Sequence, residues 1–420
     1  MATSPQAGLA GLAGLAGLSG QAGLAGLAGL AGLAGLAGLA GLAGLGGTSA
    51  APDALIRNRD GVVGPWDPPN PPWPFNLNID DPNNLKRWDA VVRATIIDYE
   101  MISRIGFTAN PGGKQVALWH LKVAPGAPPV PTYQPLIDFV RPTDDIFRGQ
   151  LKFLDQYADL RADREGEIVS QMSGGLSFLG SVTYLHPECT KWTIELLSAV
   201  LRLASYAEMR VKQGMSCRRP LEFSPQVQPM IQTPAHGSLP SGHSTESFAC
   251  ALVLLRLLQA SPINQHPLSP IIAPPPPPYP YPPQIDFRYG QQLMRIASRI
   301  AVNRTVAGVH FPVDSACGCL FGLTLGEYFV QRCITGAQYT SWHFKGDQFP
   351  NPNPAVINPP PVAPPDDGDF YWNSLFDVQG NGNQTPAPPY ATTASVVSLQ
   401  NDTPSIALPW LWRQALAEWT

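Results

Sequence analysis

The sequence predicts an all-α fold. Few segments alternate apolar and polar residues with the period of two expected of a half-buried strand. Several long segments instead repeat their apolar residues every three to four positions, as one face of a helix requires. The helix breakers also cluster: the 47 prolines and 39 glycines of the 420 residues concentrate outside the middle of the chain. Roughly 85–345 is left to form a helical core in one or two units.

Residues 7–45 repeat Ala-Gly-Leu, with Ser19 and Gln21 as exceptions. Glycine at every third position disfavours a helix, and the period does not match its 3.6 residues per turn. Without proline it does not suit a collagen triple helix either. Residues 1–50 therefore read as a disordered low-complexity tail, with a self-associating apolar tether as the rival. Residues 51–84, rich in Pro and Asn and carrying Trp66 and Trp73, read as an irregular arm laid over the core.

Helical patterning starts near Leu85. Residues 107–143 return to Pro and Gly and read as a long connection. Helix resumes over 143–172, with Ile146, Leu151, Leu154, Tyr157 and Leu160 among charges. The segment 191–214 has the clearest period, with Ile194, Leu197, Leu201 and Ala204 on one face. The segment 244–258 is mostly apolar and reads as a buried helix. The proline run from Pro274 to Pro278 reads as a polyproline loop between two helices. Further helices are expected over 289–302 and 312–332. Residues 346–420 form a Pro/Asn-rich extension, ending in a short helix with Trp410, Trp412 and Trp419.

A net charge of −4 gives no field that favours nucleic acid or an anionic membrane. No basic leader precedes an apolar core, and the middle has no uncharged apolar run long enough to span a bilayer. A soluble, cytoplasmic protein is expected, possible oligomers included. Six cysteines without CxxC spacing suit a reducing compartment, with Cys250 and Cys319 as buried thiols. His120, His186, His266 and His343 show no metal-ligand spacing.

Three segments carry chemistry. The first is Lys212, followed after six residues by Arg219-Pro220. The second is Pro240-Ser241-Gly242-His243 where a helix begins, with His236 seven residues upstream. The third runs from Arg304 through Gly308 and His310 to Pro312 and Asp314. On one helix Arg304 and His310 would lie roughly 240° apart. A turn at Gly308 and a new helix from Pro312 remove the conflict, put His310 at a helix mouth and let Asp314 reach back to it. Each piece has an ordinary structural reading: a solvated helix end, a cap, a core histidine. Together they supply cations, a hydroxyl, a helix N-terminus and imidazoles, the groups that bind a tetrahedral oxyanion.

This combination, over about 140–335, resembles the superfamily of type 2 phosphatidic acid phosphatases, class A acid phosphatases and vanadium-dependent haloperoxidases. The resemblance implies a helical bundle around a buried oxyanion site. Lys212, Arg219 and Arg304 would neutralise the oxyanion, with Ser241 and Gly242 adding hydrogen bonds. His310 would be the axial nitrogen: a ligand to vanadate, or a nucleophile toward phosphate. Asp314 would orient it, and His243 would be the acid–base residue.

A histidine at 236 resembles the bromoperoxidase type. Met209 stands where the chloroperoxidase type has tryptophan, and Asn303 where the superfamily has serine. The resemblance thus implies a haloperoxidase using vanadate, hydrogen peroxide and halide, or else a phosphatase acting on a phosphomonoester through phosphohistidine. A non-catalytic scaffold built on the repeat and proline tracts is the reading from another class.

Overall fold

The computed structural model describes residues 51–64, 78–126, 129–173, 175–261, 290–334, 338–352, 367–376 and 388–420. The Ala-Gly-Leu repeat, Trp66, Trp73, His266 and the proline run from Pro274 to Pro278 lie outside the described residues.

A five-stranded sheet overturns the all-α expectation; the fold is mixed α/β. Its strands are β1 (Ile105–Asn110), β2 (Gln115–Val123), β3 (Pro131–Val140), β4 (Gln338–Lys345) and β5 (Ala391–Ser398), paired in that order. All neighbours are antiparallel except β3 and β4, which run parallel. The segment 107–143 is therefore a meander, not a connection. Its apparent breakers have places in the meander. Pro111 opens the β1–β2 turn, where the Lys114 N–H donates to the Pro111 carbonyl at 3.1 Å. Pro135 stands opposite Trp119, where the register of β2 and β3 shifts, and a bulge tolerates its missing N–H.

The described helices are α1 (Ala51–Val62), α2 (Ala90–Ile102), α3 (Asp144–Ala158), α4 (Arg161–Ser170), α5 (Gly175–Leu179), α6 (Lys191–Met215), α7 (Pro220–Phe223), α8 (Gly242–Ala260), α9 (Gly290–Val306), α10 (Pro312–Cys333) and α11 (Ala407–Leu416). The arm thus opens with an exposed helix, α1, where irregular chain was expected. The helical stretch 143–172 is two helices, with the Thr143 hydroxyl capping the first by accepting from the Ile146 N–H at 3.4 Å.

The centre of the helical layer is the contact between α8 and α10. Gly318, Gly322 and Gly326 lie four residues apart and form one stripe along α10. A Cβ on Gly318 would come 2.7 Å from the Ser241 carbonyl, and one on Gly326 would come 3.0 Å from that of Ala249. A Cβ on Gly322 would collide with the Thr245 carbonyl. Backbone thus rests on backbone, and the N-termini of the two helices lie side by side, with the Ser241 N–H donating to the Asp314 carbonyl at 2.9 Å.

The C-terminal segment ties the layers together. The Glu418 carboxylate accepts from the N–H groups of Trp192 and Thr193, both at 2.8 Å, and so caps α6. Asp402 accepts from Arg104 at 3.0 Å and from the Val123 N–H at 2.8 Å, and pairs with His120 at 3.0 Å. Trp410, Trp412 and Trp419 are buried in a core that runs from Leu85 to Trp419. All six cysteines are free, and five of them are buried. No helix among the described residues is long and apolar enough to cross a membrane.

Candidate active site

The three chemical segments converge at the start of α8 and α10. α9 ends at Val306, Gly308 turns with φ +81°, and α10 starts at Pro312. Gly308 is needed there twice over, since a Cβ would also come 2.9 Å from the Arg161 guanidinium. His310 sits at the mouth of α10, 4 % exposed. Its Nδ1 lies 3.1 Å from Asp314 Oδ2. The same carboxylate oxygen accepts from the Phe311 N–H at 2.9 Å and from the Ser238 hydroxyl at 2.5 Å. Asp314 therefore fixes both the helix start and the ring. With Nδ1–H donated to Asp314, Nε2 holds the lone pair; it accepts from Arg219 at 2.9 Å.

Arg219 is a hub. Its guanidinium also donates to the carbonyls of His236 (3.0 Å) and Val309 (2.8 Å), and lies 3.1 Å from His236 Nδ1. Arg304 donates through one nitrogen to the Ile168 carbonyl at 3.1 Å and to Gln171 Oε1 at 2.8 Å. Its Nε and Nη1 have no partner among the described residues. The Ser241 hydroxyl, fully buried ahead of α8, also has none. His243 Nε2 lies 3.1 Å from the Gln171 carbonyl, which leaves Nδ1 as its basic nitrogen.

These groups surround a cleft of about 30 Å³, room for one or two waters. Arg219, His236, Gly242, His243, Arg304 and His310 line it, with Met172, Met209 and Ile231 as apolar wall. Three of the residues singled out in the sequence do not line it. Asp314 stands behind His310. Ser241 lies at the helix start beside Gly242. Lys212 donates to the carbonyls of Ser238 and Pro240, so it braces the loop that carries the serine.

Burial dominates the electrostatics. It holds His310 and His243 well below the usual imidazole range, with Arg219 the next cause for His310 and Arg304 for His243. His236 is pushed down to about 4 by burial, then by Lys212 and Arg219. All three imidazoles are neutral at pH 7. Burial lowers Arg219 and Arg304 to about 10, so both stay cationic. Asp314 is pushed up to about 6 by burial, against the hydrogen bonds it accepts.

The sequence reading missed four residues. Ser238 bonds Asp314, and Gln171 joins Arg304 to Asn303, whose amide donates to it at 3.0 Å. Neither carries a sequence signal. Glu208 lines the cleft, and Glu246 is a buried acid one turn into α8. These two had one: Glu208 is four residues before Lys212, and Glu246 is an acid inside an apolar helix.

Residues 193–333 match the family model of the PAP2 superfamily. That match takes in α6, α8, α9 and α10, and so every residue singled out for the site. No curated protein matches the chain. Members of the PAP2 superfamily are usually enzymes, phosphatases or haloperoxidases.

Proposed function

We propose that the chain is a vanadium-dependent haloperoxidase-like enzyme that oxidises halide with hydrogen peroxide at vanadate held beside His310. The observation that carries this reading is the second imidazole in the cleft. His236 and His243 both line it, and both are neutral. Halide oxidation, H2O2 + X− + H+ giving HOX + H2O, takes up one proton, which ends on the peroxide oxygen that leaves as water. Two neutral imidazoles can accept and return protons at separate points. Hydrolysis of a phosphomonoester needs one such group, acting twice.

The donor set fits vanadate. Two buried guanidiniums, with the Nε and Nη1 of Arg304 unpartnered among the described residues, and the start of α8 at Gly242 suit a tetrahedral oxyanion. When bound, vanadate supplies a Lewis acid that polarises peroxide toward halide. The rest falls to the chain. Arg219 and Arg304 balance the anion's charge. Asp314 holds Nδ1–H of His310, so that Nε2 presents its lone pair once Arg219 turns to the anion. His243 holds or gives a proton at Nδ1. Met172, Met209 and Ile231 form the apolar part of the cleft wall.

The Asp314–His310 pair favours a second reading, a phosphomonoesterase. There the ester enters as its monoanion and passes its proton to Nδ1 of His243; Nε2 of His310 attacks phosphorus, the P–O bond to the alcohol breaks, and His243 returns that proton to the leaving oxygen. Water then gives a proton to His243 and its oxygen to phosphorus, releasing phosphate. One pair of assays separates the two. Protein loaded with vanadate should brominate a phenol dye with peroxide and bromide, with little hydrolysis of p-nitrophenyl phosphate. Hydrolysis that vanadate inhibits, without bromination, overturns the first reading in favour of the second.

A further inference from the structure

The reactions above leave Glu208 and Glu246 unused. Both are buried, Glu208 to 1 % exposure and Glu246 to 8 %. Glu208 stands one turn before Lys212 on α6 and lines the cleft. Its Oε1 lies 2.5 Å from where a Cβ on Gly242 would be, so the carboxyl rests on the glycine that opens α8. Glu208 Oε2 and Glu246 Oε1 have no hydrogen-bond partner among the described residues.

An ionised carboxylate here conflicts with a bound oxyanion. The cleft gathers Arg219, Arg304 and the start of α8, all suited to an anion, and a second anion in contact would be repelled. The neutral acid has the opposite effect, because its O–H is one more donor. We propose that Glu208 binds the oxyanion as the neutral acid, through its O–H. The ligand then enters together with a proton. This rests on the cleft being an oxyanion site, and it holds for either reaction.

The groups facing Glu208 come from several elements. Lys212 on α6 and Arg219 before α7 favour its ionised form, but burial opposes it and is the larger effect, so its proton is held above the usual carboxylate range. Glu246, on α8, is raised well above that range by burial first and by the Glu208 charge second. His236, His243 and His310 face the same cleft as neutral rings. Arg304 lines its far side from α9, and Asp314 lies behind His310.

Sulfate is the probe, because it stays a dianion from about pH 5 to about pH 9 and so adds no titration of its own. Its binding to the full-length protein is followed by calorimetry across that range, in buffers of different ionisation heat. Wild type should take up a proton on binding above the pH at which Glu208 ionises, and there its affinity should fall about tenfold per pH unit. Glu208→Gln should lose this fall and bind at least about tenfold more tightly than wild type near pH 8. Glu246→Gln removes no charge that acts on Glu208 and should keep the fall.

Sulfate binding by wild type without proton uptake overturns the proposal, as does a Glu208→Gln variant with the wild-type slope. Where Glu208→Gln does not fold, Glu208→Asp, which keeps an acid but draws it back from the cleft, decides: an unchanged pH profile of sulfate binding overturns the proposal. No sulfate binding at any pH would sink the oxyanion reading of the cleft itself, a result distinct from failure of the role given to Glu208.

Discussion

The α8–α10 pair and the β1–β3 meander both contain glycine, and they use it differently. In the helix pair, three glycines bring one backbone against another, and any side chain added there meets carbonyl oxygens that cannot move away. In the meander, a Cβ on Gly106 would meet the edge of the Tyr133 ring at 2.7 Å, and that ring is 63 % exposed and free to turn aside. The helix pair carries the cleft, and the meander lies against its outside. Tight tolerance is thus placed where two helix starts must stay in register, and slack is left where only a layer must be covered.

The largest effect expected is on chemistry. His310→Ala should reduce either bromination or phosphate-ester hydrolysis by at least about a thousandfold, because it removes the nitrogen on which both readings depend. A variant with full turnover would refute the placement of the reaction at the mouth of α10.

Next comes packing. Gly322→Val should destabilise the fold by about 3 kcal/mol through overpacking, and Gly106→Ala by no more than about 0.5 kcal/mol. Urea denaturation of both variants checks the contrast. Similar losses at the two positions would erase the distinction between the regions.

The smallest effect is on acid stability. His236, His243 and His310 are all depressed in the fold. Below about pH 6.5 the unfolded chain binds protons that the folded chain refuses, so the stability these rings allow at neutral pH is lost as pH falls. Asp314 works the other way, because the fold keeps its proton up to about 6 and the unfolded chain does not. His310→Gln should therefore soften the loss of stability between about pH 6.5 and about pH 5 by ~1 kcal/mol. Urea midpoints at the two pH values test this, and an unchanged loss would show that His310 is not shielded from acid.

The long helices α3, α4 and α6 could be read in the sequence because each repeats its own apolar face within a few residues, while α1, α5 and α7 were not read. The α9–Gly308–α10 break was legible too, since Gly308 and Pro312 are local signals, and it brings His310 and Asp314 together. The sheet was not. In β2, Val116, Leu118 and His120 are buried, but Ala117 and Trp119 between them are apolar as well, so burial alternates where polarity does not. β3 pairs with β4 across two hundred residues, Ile137 standing beside Trp342, and no local pattern announces such a partner. β5 lies within a stretch read as loop because of its prolines and asparagines. Lys212 shows the limit for the site: its position marked it as a cation near an anion, while its actual contacts, two loop carbonyls, depend on how 236–240 folds back.

The glycine stripe of α10 has a further consequence. By laying α10 on α8 it brings two helix dipoles together at their positive ends, Gly242 and Pro312, each worth roughly half an elementary charge. Part of the attraction for an anion is therefore written into the backbone, where substitution of any one lysine or arginine leaves it standing.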